Sequence, residues 1–136
     1  MDCKRFVLSG VASGILILVI MTLFGFITQI IAPYDITSIG GMRALDDPIM
    51  ALFFLAPFVI GFVTTYVYEL TKKAFNGDKK SKALKLTLIM YLVYVVPSEF
   101  IILTSMTYPI GFHLDNLVGG LIYLTFASFV IVKIMK

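Results

Sequence analysis

The sequence predicts an all-α integral membrane protein, an antiparallel up-down-up-down four-helix bundle with both termini cytoplasmic. Three observations predict it. The chain is 60% hydrophobic and only 14% charged, whereas a soluble domain runs near half apolar and about one-quarter charged. Its hydrophobic residues, about 82 of 136, nearly match four spans at roughly 20 residues each. Ten of the eleven basic residues fall where a single side of such a protein would lie. Disorder is excluded by the apolar surface to be buried, and too few polar residues remain to coat a soluble two-layer domain. Residues 1–136 read as a single four-span domain.

The first span runs from about 6 to 32. At this length it must tilt or pass the interface, and it exceeds a signal-peptide core. Lys4 and Arg5 precede it. Gly10-x-x-x-Gly14, flanked by Ser9 and Ser13, gives it a face that backbones can approach, and Gly25 continues the stripe. Internal packing and homodimerisation are both open uses of that face. A loop with Gly40-Gly41-Met42-Arg43 and Asp46-Asp47 follows. Asp47-Pro48 reads as an N-cap followed by the first helical position. The second span, about 48 to 70, places Pro57, Gly61, Thr64 and Tyr68 at spacings of four, three and four.

A basic connection comes next, with Asn76-Gly77-Asp78 as its turn and Lys72, Lys73, Lys79, Lys80, Lys82 and Lys85 around it. Such a cluster beside two spans serves topology and contacts with anionic head groups. No aromatic interleaving or nucleic-acid fold accompanies it, so nucleic acid is not an expected partner. The third span, about 84 to 106, repeats the small-polar rhythm with Thr87, Tyr91, Tyr94 and Ser98. Pro97 lies at a depth similar to Pro57; each can kink its helix there, or simply reflects the greater frequency of proline in membrane helices. The fourth span, about 116 to 135, offers Asn116, Gly120, Tyr123 and Ala127 along one face. Four such stripes predict helices whose inward faces meet, with Gly10, Gly14, Gly61 and Gly120 as the closest packing points.

Charge sets the orientation. Lys4, Arg5, the six lysines of the middle connection, Lys133 and Lys136, offset by Asp2, Glu69 and Asp78, leave +7 on one side. Arg43 against Asp35, Asp46, Asp47 and Asp115 leaves −3 on the other, and Glu99 inside the third span closes the total at +3. The positive-inside rule puts the termini and middle connection in the cytoplasm of a cell-membrane protein.

The scarce residues restrict the chemistry. One cysteine, Cys3, forms neither an intrachain disulfide nor a dithiol pair, and one histidine, His113, cannot build a multi-histidine metal or haem site. No cofactor is expected. Asp46, Asp47 and His113 have no recognised metal-ligand spacing, and no nucleophile-elbow, zinc-protease or phosphate-loop motif is present. Glu99 is the single ionisable residue well inside a span, and a carboxylate there must be neutralised, paired or wet. Arg43, the lone outer basic side chain, is its expected partner, or else bridges the loop acids. With Tyr108, His113 and Asp115 assigned to the second outer loop, Arg43, Asp46, Asp47, Glu99, His113 and Asp115 are expected to gather at the outer mouth. Such a cluster either binds a solute or relays protons, or is an inert network pinning the loops.

Two functional readings follow, with an intramembrane enzyme a weaker third. One is a non-catalytic membrane protein, a scaffold or accessory subunit in the lipid bilayer, partnered by its own copies or by a larger membrane protein. The other is a proton- or cation-coupled carrier of a small solute using Glu99.

Overall fold

The structure is a computed structural model describing residues 2–135; Lys136, counted above among the basic residues, lies outside them. It is all-helical, with no strand among the described residues. Four helices are long and apolar enough to cross a membrane: α1, Cys3–Ile31; α2, Pro48–Thr71; α3, Lys79–Ser105; and α4, Ile110–Ile134, with mean hydropathies between 2.0 and 2.5. Large apolar side chains lie exposed along all four, among them Leu23, Phe54, Phe100 and Phe126.

Side chains just ahead of the first three helices satisfy their free amides. Asp2 accepts from the Lys4 and Arg5 amides at 3.1 and 3.4 Å. Asp47 accepts from Ile49 at 2.9 Å with Pro48 at the helix start, and Asp78 accepts from Ser81 at 2.9 Å. Each supplies an acceptor where four backbone donors would otherwise lack one.

Two boundaries differ from the sequence reading. α3 begins at Lys79 rather than near 84, so the basic residues Lys79, Lys80, Lys82 and Lys85 ride on the helix. Cations oppose the helix dipole at an N-terminus, and the Asp78 cap offsets them. α4 begins at Ile110 rather than 116. Pro109 is extended and stands immediately before the first helical residue. His113 and Asp115 therefore belong to a helix, not to a loop.

The winding also departs from a plain α-helix. α2 opens with a 3₁₀ stretch, Pro48–Leu55, before turning α-helical at Ala56. α3 carries a π-helical turn at Tyr91–Val95 and α4 another at Asp115–Gly119. Pro57 and Pro97 each come second in the α-helical stretch that follows such a change, where the missing proline N–H falls on an already altered ladder. A π turn inserts one extra residue, which rotates the face beyond it by about 100°. That is why the stripe expected on α3 breaks. Thr87 is buried, but Tyr94 and Ser98 point outward, and Val95 and Glu99 take their place inside.

α1 packs along both α2 and α4, and α4 packs along α3, whereas α2 and α3 meet only sparsely. The lateral order is α2, α1, α4, α3, so the four inward faces do not all converge. Glycines set the close approaches. A Cβ on Gly61 would stand 2.8 Å from the Gly10 carbonyl oxygen, the Gly14 nitrogen and the Ser13 hydroxyl. Phe62 and Phe58 lie over Gly10 and Gly14, at 2.3 and 2.6 Å from a would-be Cβ. The Gly10/Gly14 face is thus filled by the chain's own α2, the internal-packing use of that face. Ser9 and Thr65 hydroxyls meet beside it at 3.3 Å. On α4, Gly120 faces Val95 of α3 and Gly119 faces Phe24 of α1. Gly25 has nothing within 4 Å of a would-be Cβ and does not continue the packing stripe.

Candidate functional site

Arg43, Asp46, Asp47, Glu99, His113 and Asp115 divide into three groups rather than one cluster. The first lies between α3 and α4. Glu99 is 2% exposed and His113 6% exposed. Glu99 Oε1 and His113 Nδ1 form a buried hydrogen-bonded pair. Asn116 Nδ2 donates to the second carboxyl oxygen, Oε2, at 2.9 Å. Helical spacing explains the arrangement: with α4 starting at Ile110, His113 and Asn116 are three apart and share a face. The π turn in α3 brings Glu99 round to meet them. Both carboxyl oxygens are engaged, which is what a buried acid requires.

The second group ties α4 to α1. Asp115 accepts from the Thr28 hydroxyl through Oδ1 and from the Tyr34 hydroxyl through Oδ2, each at 2.6 Å. Tyr34 follows the end of α1, and the Gln29 amide holds it by donating to the Tyr34 carbonyl at 2.8 Å. Burial, then the Asp115 carboxylate, pushes the Tyr34 phenol above its ordinary pKa. Phe112 stacks edge-on against both Tyr34 and Tyr108, with ring centroids 6.2 and 4.8 Å away. Gly111 lets α4 approach the end of α1, since a Cβ there would stand 2.1 Å from the Ala32 carbonyl oxygen.

The third group is the exposed loop pair. Arg43 donates to Asp47 at 2.7 Å. This bond, then the Ile49 amide, holds the Asp47 carboxyl below its ordinary pKa. Arg43 is therefore not the partner of Glu99; a histidine and an asparagine one helix away take that place. Asp46 is exposed and makes no hydrogen bond or ion pair among the described residues. Ser98, next to Glu99, turns its hydroxyl back onto the Tyr94 and Val95 carbonyls at 2.8 and 3.0 Å, not toward the acid.

A cleft of about 690 Å³ opens between the segment after α1 and the α3–α4 connection, with Tyr34, Asp35, Ser105 and Tyr108 among its walls. Glu99, His113 and Arg43 do not line it. No three His, Cys, Asp or Glu side chains gather to hold a metal ion among the described residues. The sequence reading singled out Glu99, His113 and Asp115, but not Thr28 or Tyr34, and gave Asn116 only a packing role. The i, i+3 spacing of His113 and Asn116 was the available signal for that pair; none marks Thr28. No family model, no curated protein and no solved structure matches the chain.

Proposed function

We propose that this chain is a multi-pass cell-membrane protein whose helices alternate across the bilayer, both termini cytoplasmic, and that it works without catalytic chemistry as a scaffold or accessory subunit. The alternation is supported by contact register. Gly10 meets Phe62 while Gly14 meets Phe58, and Thr28 meets Asp115 while Phe24 meets Gly119. Ascending numbers on one helix pair with descending numbers on its neighbour. The orientation is supported by the charge asymmetry between the two sides. Cys3, the one cysteine and an exposed one, offers a direct check. A membrane-impermeant maleimide should label it in inverted vesicles and leave it unlabelled in intact cells; the reverse pattern contradicts the orientation.

The observation that carries the non-catalytic reading is the engagement of Glu99, Asp115 and Asp47 by neighbouring side chains. Glu99 is held by His113 and Asn116, Asp115 by Thr28 and Tyr34, and Asp47 by Arg43. Acids engaged in this way tie helices and loops together. Purification of the tagged chain from native membranes in mild detergent is expected to bring a larger membrane partner at fixed stoichiometry. A lone chain that drives solute flux in liposomes contradicts it. The carrier reading is favoured by one observation, the placing of the His113 imidazole against the buried Glu99 acid. It requires that Glu99→Gln abolish flux while leaving the fold intact.

A further inference from the structure

We infer that the cleft where α2 ends, α3 begins and α4 ends binds the phosphate ester of an anionic lipid headgroup. The cleft holds about 360 Å³, and its walls include Tyr68, Lys72, Lys79, Lys82 and Val132. It lies at the far end of α3 and α4 from the Glu99–His113 pair, so its test is separate from that of the scaffold role. Lys79 and Lys82 have no ion-pair partner among the described residues, whereas Lys72 is held by Glu69 at 2.7 Å. The start of α3 adds backbone N–H groups and the positive end of a helix dipole. Asp78 also borders the cleft; its Oδ1 accepts from the Ser81 amide, and its single negative charge leaves Lys72, Lys79 and Lys82 in excess around the cleft.

The independent sign of a ligand is Tyr68. It is only 4% exposed, packs against Phe75 with ring centroids 6.2 Å apart, and lines the cleft. Its hydroxyl has no hydrogen-bond partner among the described residues and, unlike the buried Ser128 hydroxyl, is open to the cleft, where it can donate to a ligand. A phosphate ester supplies the acceptor that this donor lacks and the negative charge that two unpaired ammonium groups call for. Val132 and Met135, both 3% exposed, add an apolar wall suited to the glycerol backbone of a lipid. Juxtamembrane lysines also attract anionic lipid without any pocket, so the experiment must separate the cleft from its surrounding charge.

The full chain in neutral detergent is titrated with dioleoylphosphatidylglycerol, dioleoylphosphatidylcholine and glycerol 1-phosphate, with binding read by native mass spectrometry. Phosphatidylglycerol is expected to bind more tightly than phosphatidylcholine. Lys79→Gln/Lys82→Gln should weaken it about 30-fold, and Tyr68→Phe about tenfold with packing retained. Lys73→Gln/Lys80→Gln removes equal charge from residues that do not line the cleft and should change binding by less than about twofold. Displacement of the lipid by glycerol 1-phosphate would support the phosphate site and assign it to a soluble ester; failure to displace supports the lipid. Equal affinity for the two lipids overturns the site, and so does an equal loss in the two double-lysine variants.

Discussion

Replacing His113 with leucine is expected to destabilise the protein by about 3 kcal/mol. The loss is not that of a contact alone. Glu99 would stay in place, 2% exposed, with Asn116 as its remaining partner at 2.9 Å. A buried acid stripped of one of two partners carries its desolvation cost uncompensated. His113→Gln keeps a polar group on the same face and should cost about 1 kcal/mol, the scale of a weakened hydrogen bond. Unfolding in mixed micelles, followed by circular dichroism, distinguishes the two substitutions. Equal stability of His113→Leu and the parent chain would mean that Glu99 does not depend on the histidine.

The second large effect is expected at Gly61. Gly61→Ala should cost about 2–3 kcal/mol, because its methyl would enter a space bounded chiefly by backbone. The Gly10 carbonyl oxygen and Gly14 nitrogen, both 2.8 Å from the added carbon, cannot rotate aside as a flexible side-chain tip would. α1 and α2 must separate, which also pulls apart the Ser9–Thr65 hydroxyl contact. Gly25→Ala is the internal control. Nothing lies within 4 Å of its added carbon, and alanine is the better helix former by up to about 1 kcal/mol. The same micelle unfolding should therefore show one alanine destabilising and the other neutral or stabilising. A neutral Gly61→Ala would overturn the close α1–α2 packing.

The parts of this architecture visible in the sequence are those fixed by local composition. Span number follows from hydropathy and length, and the start of α2 from Asp47-Pro48. The buried face of α2, with Pro57, Gly61, Thr64 and Tyr68, follows from helical period because the stretch from Ala56 is regular. The regular part of α4 likewise buries Gly120, Tyr123 and Ala127.

Elsewhere tertiary structure overrides the local pattern. Polar residues near the start of α4 resemble a loop, so the local pattern places His113 and Asp115 in one. The π turns change the period mid-helix, turning Tyr94 and Ser98 outward and Glu99 inward. Glu99 stands out from sequence because an acid within a span is costly. Its partner does not, since opposite charge favours Arg43 until the path of α4 is known. Asp115 shows the same division: its charge is visible, but its two hydroxyl partners come from α1 and the segment after it.

Glu99 and His113 act as one buried unit fastening α3 to α4. A double-mutant cycle with Glu99→Leu, His113→Leu and the combined variant measures this coupling most directly, using unfolding free energy in micelles. Each single leucine strands the other member of the pair, whereas the double variant puts an apolar contact in its place, with Asn116 losing its acceptor equally in both variants that lack Glu99. The double variant is expected to be more stable than the sum of the single losses implies, by about 2 kcal/mol. Strictly additive losses would contradict it, because they would mean that the two side chains do not depend on each other.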